Sequence, residues 1–470
     1  MQKQHKIICV TLFAALMISC SSSKIIDTIT IEGGQVQGIV SESPDVLLFK
    51  GIPYAAPPVG DLRWALPQPV IPWEGVKVCD TWGSPAVQPG RREGTFYYKE
   101  FQPEPLPPTS EDCLYLNVWA PAKAVGHPEA KLPVALWFHG GANSNGYGYD
   151  VAFVTDEYAK RGVILITINY RLGTLGFFSN PELAKENPHG ENGSQGIYDQ
   201  LESIKWTRKN IAQFGGDPDN ITIFGQSAGA MDTKTLICSP LTKGLVAKAI
   251  IQSGGGLTTN TGAPEGGQRP AGQRPAGGQG GQRPAGGQGF GQGDRGGAPA
   301  AAPAEPKTLA ELRQLPVDRI NEAGRGNGLG TSTDGYLIVE NFDQAVTSNH
   351  VLDIPYIIGS NGDDMGQLKG GTKEFGMSRD SFGGKPTYVY YFDRKLPGDD
   401  QGAFHSAELW YTFKTLGKCW RPMEQHDYDL SEKMITCWTN FMKYGNPNGD
   451  GVDGEWKPCT QADPYVQLFK

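Results

Sequence analysis

The strongest chemical signal in the chain is the pentapeptide GQSAG at 225–229, which directly follows a short apolar run, Ile221–Phe224. A serine flanked by glycines at this spacing is typical of a nucleophile elbow, a sharp turn from a strand into a helix. The serine backbone is strained there, so the residues two before and two after it must be small. The pattern predicts that Ser227 is a nucleophile at the end of a strand.

A nucleophilic serine needs N–H groups aimed at the negative charge that develops on the attacked carbonyl oxygen. The tetrapeptide HGGA at 139–142 directly follows another apolar run, Leu132–Phe138. A glycine loop in that position supplies N–H groups of this kind in proteins with a nucleophile elbow. We therefore expect the backbone N–H groups of Gly141, Ala142 and Ala228 to form an oxyanion hole.

The serine also needs a general base that is held in place by a carboxylate. In proteins with a nucleophile elbow, the acid and then the histidine follow the serine along the chain. His405 comes shortly after the apolar run Thr387–Phe392, whereas His426 lies in a charged stretch with no strand before it. His405 is therefore predicted to be the base, and His426 is predicted to lie on the surface.

The acid should follow the strand that precedes the strand of the histidine. The run Ile354–Gly359 is that strand, and Asp363 and Asp364 both come shortly after it. An aspartate there would hold the imidazole in the required tautomer and stabilise its charged form. The spacing leaves Asp363 and Asp364 equally open, and capping of the turn is the alternative role for either.

The elements that must position these residues are parallel strands and helices. The apolar runs do not alternate with polar residues, as expected for strands buried on both faces. They are separated by segments of helical periodicity, which predicts an α/β fold with a mainly parallel central sheet, helices on both faces and a small N-terminal β region. Function in such sheets lies beyond the carboxyl ends of the strands. The other predicted strands are 25–31, 46–50, 114–119, 163–170, 220–224 and 247–252, and the predicted helices are 198–214 and 309–320.

Residues 254–306 differ in composition from the rest of the chain. The 470 residues include 63 Gly and 35 Pro, and this segment of GGQRPA-like repeats is rich in both. Its apolar side chains other than alanine are Leu257 and Phe290, which bury too little surface to offset the entropy of ordering. We predict a disordered insert rich in Gly, Pro and Gln between two parts of one domain, 25–253 and 307–470.

Charge and cysteine content exclude several classes of function. The net charge of −8 argues against a nucleic-acid partner, which would require a basic surface. The eight cysteines include no C-x-x-C pair, so a zinc ribbon or a thioredoxin-like redox site has no support. The serine chemistry itself requires no metal and no organic cofactor.

The N-terminus predicts export. Lys3 and Lys6 precede an apolar run at 7–18 that is too short to span a bilayer, which is typical of a signal peptide, here residues 1–19. Ser19 and Cys20 follow the run, three serines follow Cys20, and this resembles the lipobox of bacterial lipoproteins. We expect a protein of the bacterial cell envelope that contacts the membrane through lipid on Cys20, as an outer-membrane lipoprotein facing the periplasm or the exterior. The alternative is an ordinary cleaved signal with an incidental cysteine, which would make the protein secreted.

Further motifs extend the pattern from about residue 31 to about residue 463, with the insert as an interruption. They are GIPYAAPPVGDLRW (51–64), SEDCLYLNVWAP (110–121), FHGGA (138–142), INYRLGTLGFF (168–178), FGGDPDNITIFGQSAGA (214–230), SPLTKGL (239–245), IIQSGG (250–255), GAFHSAELW (402–410) and YGNPNG (444–449). With these motifs the chain strongly resembles the type-B carboxylesterases of the α/β-hydrolase fold, the group that contains bacterial para-nitrobenzyl esterases and the cholinesterases.

The resemblance implies hydrolysis of carboxylic esters through an acyl-enzyme. It maps the nucleophile of the family to Ser227 and its base to His405. The acid, in a motif that usually reads D-E-G, maps to Asp364, where aspartate replaces the commoner glutamate. Small-molecule or glycan-linked esters are the expected substrates. Two other function classes remain, a catalytically silent binding or adhesion protein, which would normally lack a member of the triad, and a serine amidase or peptidase.

The resemblance also carries structural expectations and departures. It implies the ion pairs Arg63–Glu111 and Arg171–Asp199. Ala142 stands where the family has a third glycine. Valine stands where the family has the cysteine that pairs with Cys113, which leaves Cys79 as the candidate substitute. Asp364 and His405 are 41 positions apart, where the family carries a longer helical segment, so we expect a more open site that accepts bulkier esters.

Overall fold

The computed structural model describes residues 28–102, 105–258, 308–324, 328–329, 331, 333–449, 451–452 and 454–470. The predicted signal peptide, Cys20 and residues 259–306 of the predicted insert lie outside these residues. In chain order the described strands are β1 (Ile29–Ile31), β2 (Gly34–Gln37), β3 (Ile39–Val40), β4 (Val46–Pro53), β5 (Val76–Val78), β6 (Tyr115–Pro121), β7 (Leu132–Phe138), β8 (Ile164–Ile168), β9 (Phe178–Ser179), β10 (Gly216–Gln226), β11 (Lys248–Gln252), β12 (Gly328–Leu329), β13 (Tyr356–Asn361), β14 (Thr387–Phe392) and β15 (Gln467–Phe469). The described helices are α1 (Phe96–Phe101), α2 (Glu157–Lys160), α3 (Gly173–Gly176), α4 (Pro181–Glu186), α5 (Gln195–Asn210), α6 (Ala228–Cys238), α7 (Leu309–Arg313), α8 (Phe342–Thr347), α9 (Thr372–Ser381), α10 (Leu409–Thr412) and α11 (Gln425–Tyr444).

One large sheet organises these elements. Ten of the described strands form it in the order β15-β14-β13-β11-β10-β7-β8-β6-β4-β3. Neighbouring strands from β15 to β8 are parallel, and the pairs from β8 to β3 are antiparallel. Strands β1, β2 and β5 form a small separate sheet. The predicted mainly parallel sheet with an N-terminal β region is confirmed.

The central strands are buried on both faces, and successive residues enter different cores. In β7, Leu136 packs into one core and Trp137 into the other. Helix α5 covers the first core through Leu201 and Ile204, and α11 covers the second through Trp438. Because both faces are apolar, the strand sequences do not alternate. Helices lie on both faces of the sheet, as predicted.

Some predicted strands and helices begin or end at other residues than the observed elements do. The predictions 132–138 and 387–392 coincide with β7 and β14. Strand β10 starts earlier than predicted because Gly216 pairs with Leu132 beyond an irregularity in the register. The helix predicted at 198–214 is present as α5, which continues into a 3-10 turn that ends at Phe214.

The helix predicted at 309–320 is wrong in its second half. Helix α7 ends at Arg313, and Val317–Glu322 forms a separate 3-10 turn. Pro316 lies between them. Proline has no N–H to donate, and it disfavours helical backbone in the residue before it. The apolar residues therefore keep a helical spacing beyond Pro316, although the helix itself ends before this proline.

The start of the predicted insert is packed against the domain. The N–H groups of Gly256 and Leu257 donate to the Gly370 and Gly371 carbonyls at 2.9 and 3.0 Å. A Cβ on Gly256 would lie 1.8 Å from the Gly371 oxygen, so the two backbones approach too closely for a side chain. Residues 254–258 therefore belong to the described domain rather than to the insert.

The two expected ion pairs are present, and the substitute disulfide is not. Arg63 Nη2 lies 2.6 Å from Glu111 Oε1, and Arg171 Nη2 lies 2.7 Å from Asp199 Oδ1. Cys79 and Cys113 are both buried and both free. Burial raises the pKa of Cys79 to about 12, so it stays a neutral thiol, which packs as a small apolar side chain. Among the described residues, no helix is long and apolar enough to cross a membrane.

Loss of the buried ion pair should unfold the protein more readily. The Arg171 and Asp199 side chains are 2% and 0% exposed, so Asp199→Asn leaves the guanidinium buried without its counter-charge. We expect the free energy of unfolding to fall by about 3–5 kcal/mol in urea titrations. The control Asp219→Asn removes the partner of Arg208, where the aspartate is 75% exposed, and should cost about 0–1 kcal/mol. Equal losses in both variants would contradict the role of burial.

Candidate active site

Ser227 lies at a sharp turn between β10 and α6. Strand β10 ends at Gln226 and α6 begins at Ala228. The Ser227 backbone has φ 57° and ψ −121°, a conformation that residues with a side chain rarely adopt. Its N–H donates to the Gln252 carbonyl at 2.9 Å, which ties the turn to the end of β11. The strained geometry is that of a nucleophile elbow.

The two glycines of the elbow are required by close contacts between backbones. A Cβ on Gly225 would lie 2.3 Å from the Gly229 oxygen. A Cβ on Gly229 would lie 2.1 Å from the Phe138 oxygen. Since β7 ends at Phe138, the helix that follows the serine touches the strand that leads into the glycine loop. This contact places the serine and the loop side by side.

The glycine loop lies against the elbow with free N–H groups. Gly141 and Ala142 have φ values of 110° and 55°, and a Cβ on Gly140 would lie 3.0 Å from Ser227 Cβ. In the part of the chain that the structure describes, the N–H groups of Gly141, Ala142 and Ala228 donate no hydrogen bond. Three unused donors beside one serine are the arrangement that an oxyanion requires.

His405 is buried and held from two sides. Its ring is 4% exposed, and its Nδ1 lies 2.6 Å from Asp364 Oδ1. The Tyr97 hydroxyl, on α1, donates to the His405 carbonyl at 3.1 Å. The other ring nitrogen, Nε2, lies 3.3 Å from the Gln226 side-chain amide nitrogen. Because Asp364 occupies Nδ1, a proton on that nitrogen leaves Nε2 with the lone pair that a base needs.

The two neighbouring aspartates have different environments, which the spacing could not reveal. Asp364 accepts from His405, and its oxygens also accept from the Met365 and Asn361 N–H groups at 2.9 and 3.1 Å. Asp363 is exposed and accepts from the Ala403 N–H at 2.9 Å. Asp364 therefore contacts the histidine, and Asp363 caps the adjoining turn.

Charge and hydrogen bonding keep Asp364 ionised. Burial alone would raise the pKa of Asp364, but the hydrogen bond and charge of His405, together with the Asn361 N–H, hold it below its ordinary value. A carboxylate that accepts several hydrogen bonds is stabilised in its charged form. Asp364 is thus suited to orient an imidazole and to balance its positive charge.

A second buried carboxyl group, Glu408, lies one turn beyond the histidine. It accepts from the Asn361 side-chain amide at 2.5 Å. Burial, followed by the nearby charge of Asp364, raises the pKa of Glu408 to about 7. One site thus holds two carboxyl groups whose pKa values shift in opposite directions. A second negative charge beside the first is unfavourable, which adds to the effect of burial on Glu408.

The other histidines are not placed to act as the base. His426 is exposed, as predicted, and its Nε2 lies 3.1 Å from the Lys470 carbonyl. His139 opens the glycine loop and lines the site, but burial lowers its pKa to about 4, and its Nδ1 lies 2.8 Å from the Gly140 oxygen. His139 is therefore a neutral, structural residue. Within the described chain no group of three or more His, Cys, Asp or Glu is arranged to hold a metal ion.

Two cavities meet at the glycine loop. The smaller, of about 220 Å³, contains Ser227 and His405 and has a largely aromatic and apolar wall that includes Phe101, Phe153 and Leu409. The larger, of about 670 Å³, is lined by Ala142, Asn143 and Ser144 of the loop together with residues such as Leu175 and Phe177. Ala142 lines both cavities. A molecule bound at the serine thus has space on both sides of the loop.

Sequence reasoning missed three residues of this site. Gln226 is the unspecified residue of the elbow motif, yet its side chain reaches the histidine. Tyr97 lies more than 300 positions from His405 in the chain, so no local pattern connects them. Glu408 follows His405 by three positions, and an acidic residue this close to the predicted base was the available signal.

The parallel sheet, the elbow after β10 and the acid and histidine that follow β13 and β14 define the α/β-hydrolase fold. Residues 26–372 and 375–469 match the Carboxylesterase family, and the chain belongs to that family. It is 32% identical over 476 aligned residues to the para-nitrobenzyl esterase of Bacillus subtilis strain 168, which covers 90% of this chain and 91% of that enzyme. Over 229 aligned residues it is 42% identical to the fumonisin B1 esterase of Sphingopyxis macrogoltabida. This alignment covers 48% of this chain and 39% of that enzyme.

A solved structure gives the same result for the fold. A PNB esterase superposes with a TM-score of 0.73 and 25% sequence identity, covering 94% of this chain and 95% of that chain. The family expected from the motifs and the α/β-hydrolase fold are both confirmed. As a member of the family, the chain is a carboxylic ester hydrolase.

Replacement of Gly229 by alanine should damage the site through sterics alone. The added methyl group would lie 2.1 Å from the Phe138 oxygen, which forces α6 and the glycine loop apart. We expect a loss of about 1–3 kcal/mol in unfolding free energy together with a large loss of ester hydrolysis. Gly417→Ala is the control, because nothing lies within 4 Å of a Cβ there. Normal activity in Gly229→Ala would show that the contact is not needed.

Glu408 should make stability depend on pH. Its pKa is about 7 in the folded protein and 4.5 ordinarily, so the unfolded chain ionises first as the pH rises. Stability conferred by the neutral group is therefore lost between these two values. Glu408→Gln should unfold like wild type at pH 4.5 but be more stable by about 3 kcal/mol at pH 8. Urea titrations at both pH values, with the exposed Glu74→Gln as control, measure this; a stability difference independent of pH would refute it.

Proposed function

We propose that the enzyme hydrolyses carboxylic esters through an acyl-enzyme formed on Ser227. The observation that carries the proposal is the 2.6 Å contact between His405 Nδ1 and Asp364 Oδ1 in a histidine that shares a cavity with the elbow serine. This contact orients the ring and favours a proton on Nδ1, so Nε2, which lies 3.3 Å from the Gln226 amide nitrogen, keeps the lone pair that a base needs. A catalytically silent role would not require a strained serine together with a histidine that an ionised acid orients.

In the first half-reaction the Ser227 hydroxyl gives its proton to His405 Nε2 while its oxygen bonds to the ester carbonyl carbon. The carbonyl oxygen becomes an oxyanion, and Asp364 balances the charge of the imidazolium. The bond from the carbonyl carbon to the alcohol oxygen then breaks. The leaving alcohol takes its proton from His405, and an acyl group remains on Ser227.

In the second half-reaction water takes the place of the alcohol. His405 accepts a proton from water, and the water oxygen bonds to the acyl carbon. The bond to Ser227 breaks, the serine oxygen recovers the proton from His405, and the carboxylic acid leaves. In both halves the N–H groups of Gly141, Ala142 and Ala228 face the oxyanion, and such preorganised donors are a major source of rate enhancement.

The cavities support esters with one compact and one bulky part. The 220 Å³ cavity around Ser227 fits a small apolar group, whereas the 670 Å³ cavity beyond the loop has space for a larger one. The names of two relatives, a para-nitrobenzyl esterase and a fumonisin B1 esterase, support ester substrates in general. We therefore propose small-molecule esters that extend across the loop, in line with the open site expected from the short segment between Asp364 and His405.

The two aspartates provide a matched test of the triad. Hydrolysis of para-nitrophenyl esters of varied acyl length should be abolished in Ser227→Ala, which lacks the nucleophile. Asp364→Asn should lower kcat by about 10³- to 10⁴-fold, because the amide cannot hold the required tautomer or balance the imidazolium. Asp363→Asn should stay close to wild type, since Asp363 contacts the turn rather than the ring.

Steady-state kinetics and thermal unfolding of all three variants separate activity from folding. Loss of kcat in Asp363→Asn with a normal Asp364→Asn enzyme would overturn the assignment of the acid. A wild-type enzyme inactive toward every ester of the series would instead favour the binding role. A burst of para-nitrophenol equal to the enzyme concentration is the expected sign of the acyl-enzyme.

A further inference from the structure

The glycine loop is held in a conformation that its own residues disfavour. Ala142 and Asn143 both lie in the left-handed region, with φ values of 55° and 51°. Alanine adopts this region only at an energetic cost, and asparagine tolerates it somewhat better. Two successive left-handed residues persist only when the surrounding structure imposes them. The N–H groups that face the reacting serine therefore depend on contacts that keep the loop in place.

The side chain of Asn143 is held at both of its polar ends. Its Nδ2 donates to Asp232 Oδ1 at 3.0 Å. Its Oδ1 lies 3.2 Å from the Tyr170 hydroxyl, whose single hydrogen is shared with the closer His139 carbonyl at 2.7 Å. Asp232 Oδ1 accepts this bond and Tyr170 contacts the opposite end of the amide, so the amide nitrogen faces Asp232. The orientation of Asn143 is thus fixed by its partners.

Asp232 itself is immobile. It lies on α6, five positions after Ser227, and is 2% exposed. Its second oxygen, Oδ2, accepts from the Gln200 side-chain amide of α5 at 2.7 Å. The carboxyl group therefore connects three parts of the site: the helix that carries the nucleophile, the helix that covers the sheet, and the glycine loop. Burial raises the pKa of Asp232 to about 7, against which the two amide donors act.

We propose that Asp232 is a positioning residue for ester hydrolysis, which holds the oxyanion loop in its left-handed conformation through Asn143. The inference rests on the proposed function, because it assumes that the N–H groups of Gly141 and Ala142 receive the oxyanion. Helix α6 then positions both the nucleophile and the donors that receive the oxyanion. Its first turn presents Ser227 and the Ala228 N–H, and its second turn fixes the loop that presents the other donors.

Loss of the hydrogen bond between Asp232 and Asn143 should destabilise the transition state more than it weakens binding of the substrate. Without Asn143 held in place, the loop relaxes from the left-handed region and turns its N–H groups away from the serine. The donors stabilise the charge that develops during reaction rather than the neutral ester. Removal of a whole oxyanion donor lowers kcat by about 10²- to 10³-fold, so a displaced loop should lower it by about 10- to 100-fold with KM nearly unchanged.

The test compares Asp232→Leu, Asn143→Ala, their double variant and Asp232→Asn in hydrolysis of para-nitrophenyl butyrate. We expect the two single variants each to lose about 10- to 100-fold in kcat, and the double variant to lose no more than either. Asp232→Asn should retain most of the activity. Its Oδ1 can accept from Asn143, and its amide can donate to Gln200 after the Gln200 side chain turns over, since Gln200 Oε1 has no partner among the described residues. Thr235→Ala is the control on the same helix, where the hydroxyl bonds back to the Met231 carbonyl.

Inhibition by a trifluoromethyl ketone, which forms a tetrahedral oxyanion on the serine, gives a readout that stability alone does not move. Its affinity should fall by the same factor as kcat/KM in Asp232→Leu and stay normal in Asp232→Asn. Unchanged kcat in folded Asp232→Leu, or additive losses in the double variant, would overturn the proposal. If Asp232→Leu does not fold, Asn143→Ala decides, and full activity there overturns it. An inactive wild-type enzyme would refute the proposed function rather than the anchor.

Discussion

The site depends on one steric constraint, the contact between the start of α6 and the end of β7. A Cβ on Gly229 would lie 2.1 Å from the Phe138 oxygen, so backbone meets backbone there with no space for a side chain. The contact allows the serine, which follows β10, and the glycine loop, which follows β7, to lie side by side. It also requires the φ of 57° at Ser227, because the chain must turn sharply between strand β10 and helix α6, whose positions other contacts fix. The strain at the serine is thus a consequence of packing, and the rigid neighbours β10 and β11 sustain it.

Three buried carboxyl groups surround this contact, and their environments give them different states. Asp364 accepts from a histidine and from backbone N–H groups, and its pKa is lowered. Glu408 lies beside Asp364, and burial raises its pKa to about 7. Asp232 accepts from two neutral amides, which offset burial only in part, and its pKa also rises to about 7. Residue type alone would have made all three equivalent. Only the group beside the histidine is held firmly as an anion at neutral pH, and that is the position where ester hydrolysis requires one.

The sequence predicted those parts of the molecule that depend on local chemistry. The strands at 132–138 and 387–392 were predicted correctly because both faces of each are buried, and the elbow because its small residues stand at fixed positions around Ser227. The choice between Asp363 and Asp364 could not be made from spacing, since adjacent residues point in different directions and their partners, Ala403 and His405, come from a later loop. Gln226, Tyr97 and Asp232 were missed for the same reason. Their roles arise from contacts between distant elements, and no motif encodes such contacts.

The glycine loop is the element in which these constraints meet. It lines both cavities through Ala142, and it carries the unused N–H groups of Gly141 and Ala142 beside Ser227. A loop of free glycines in that place would respond to whatever fills the larger cavity, and the N–H groups would move with it. Ala142 and Asn143 in the left-handed region, with Asn143 bonded to Asp232 and Tyr170, make the loop rigid instead. A loop restricted in this way favours one placement of the N–H groups beside Ser227, whichever group fills the larger cavity.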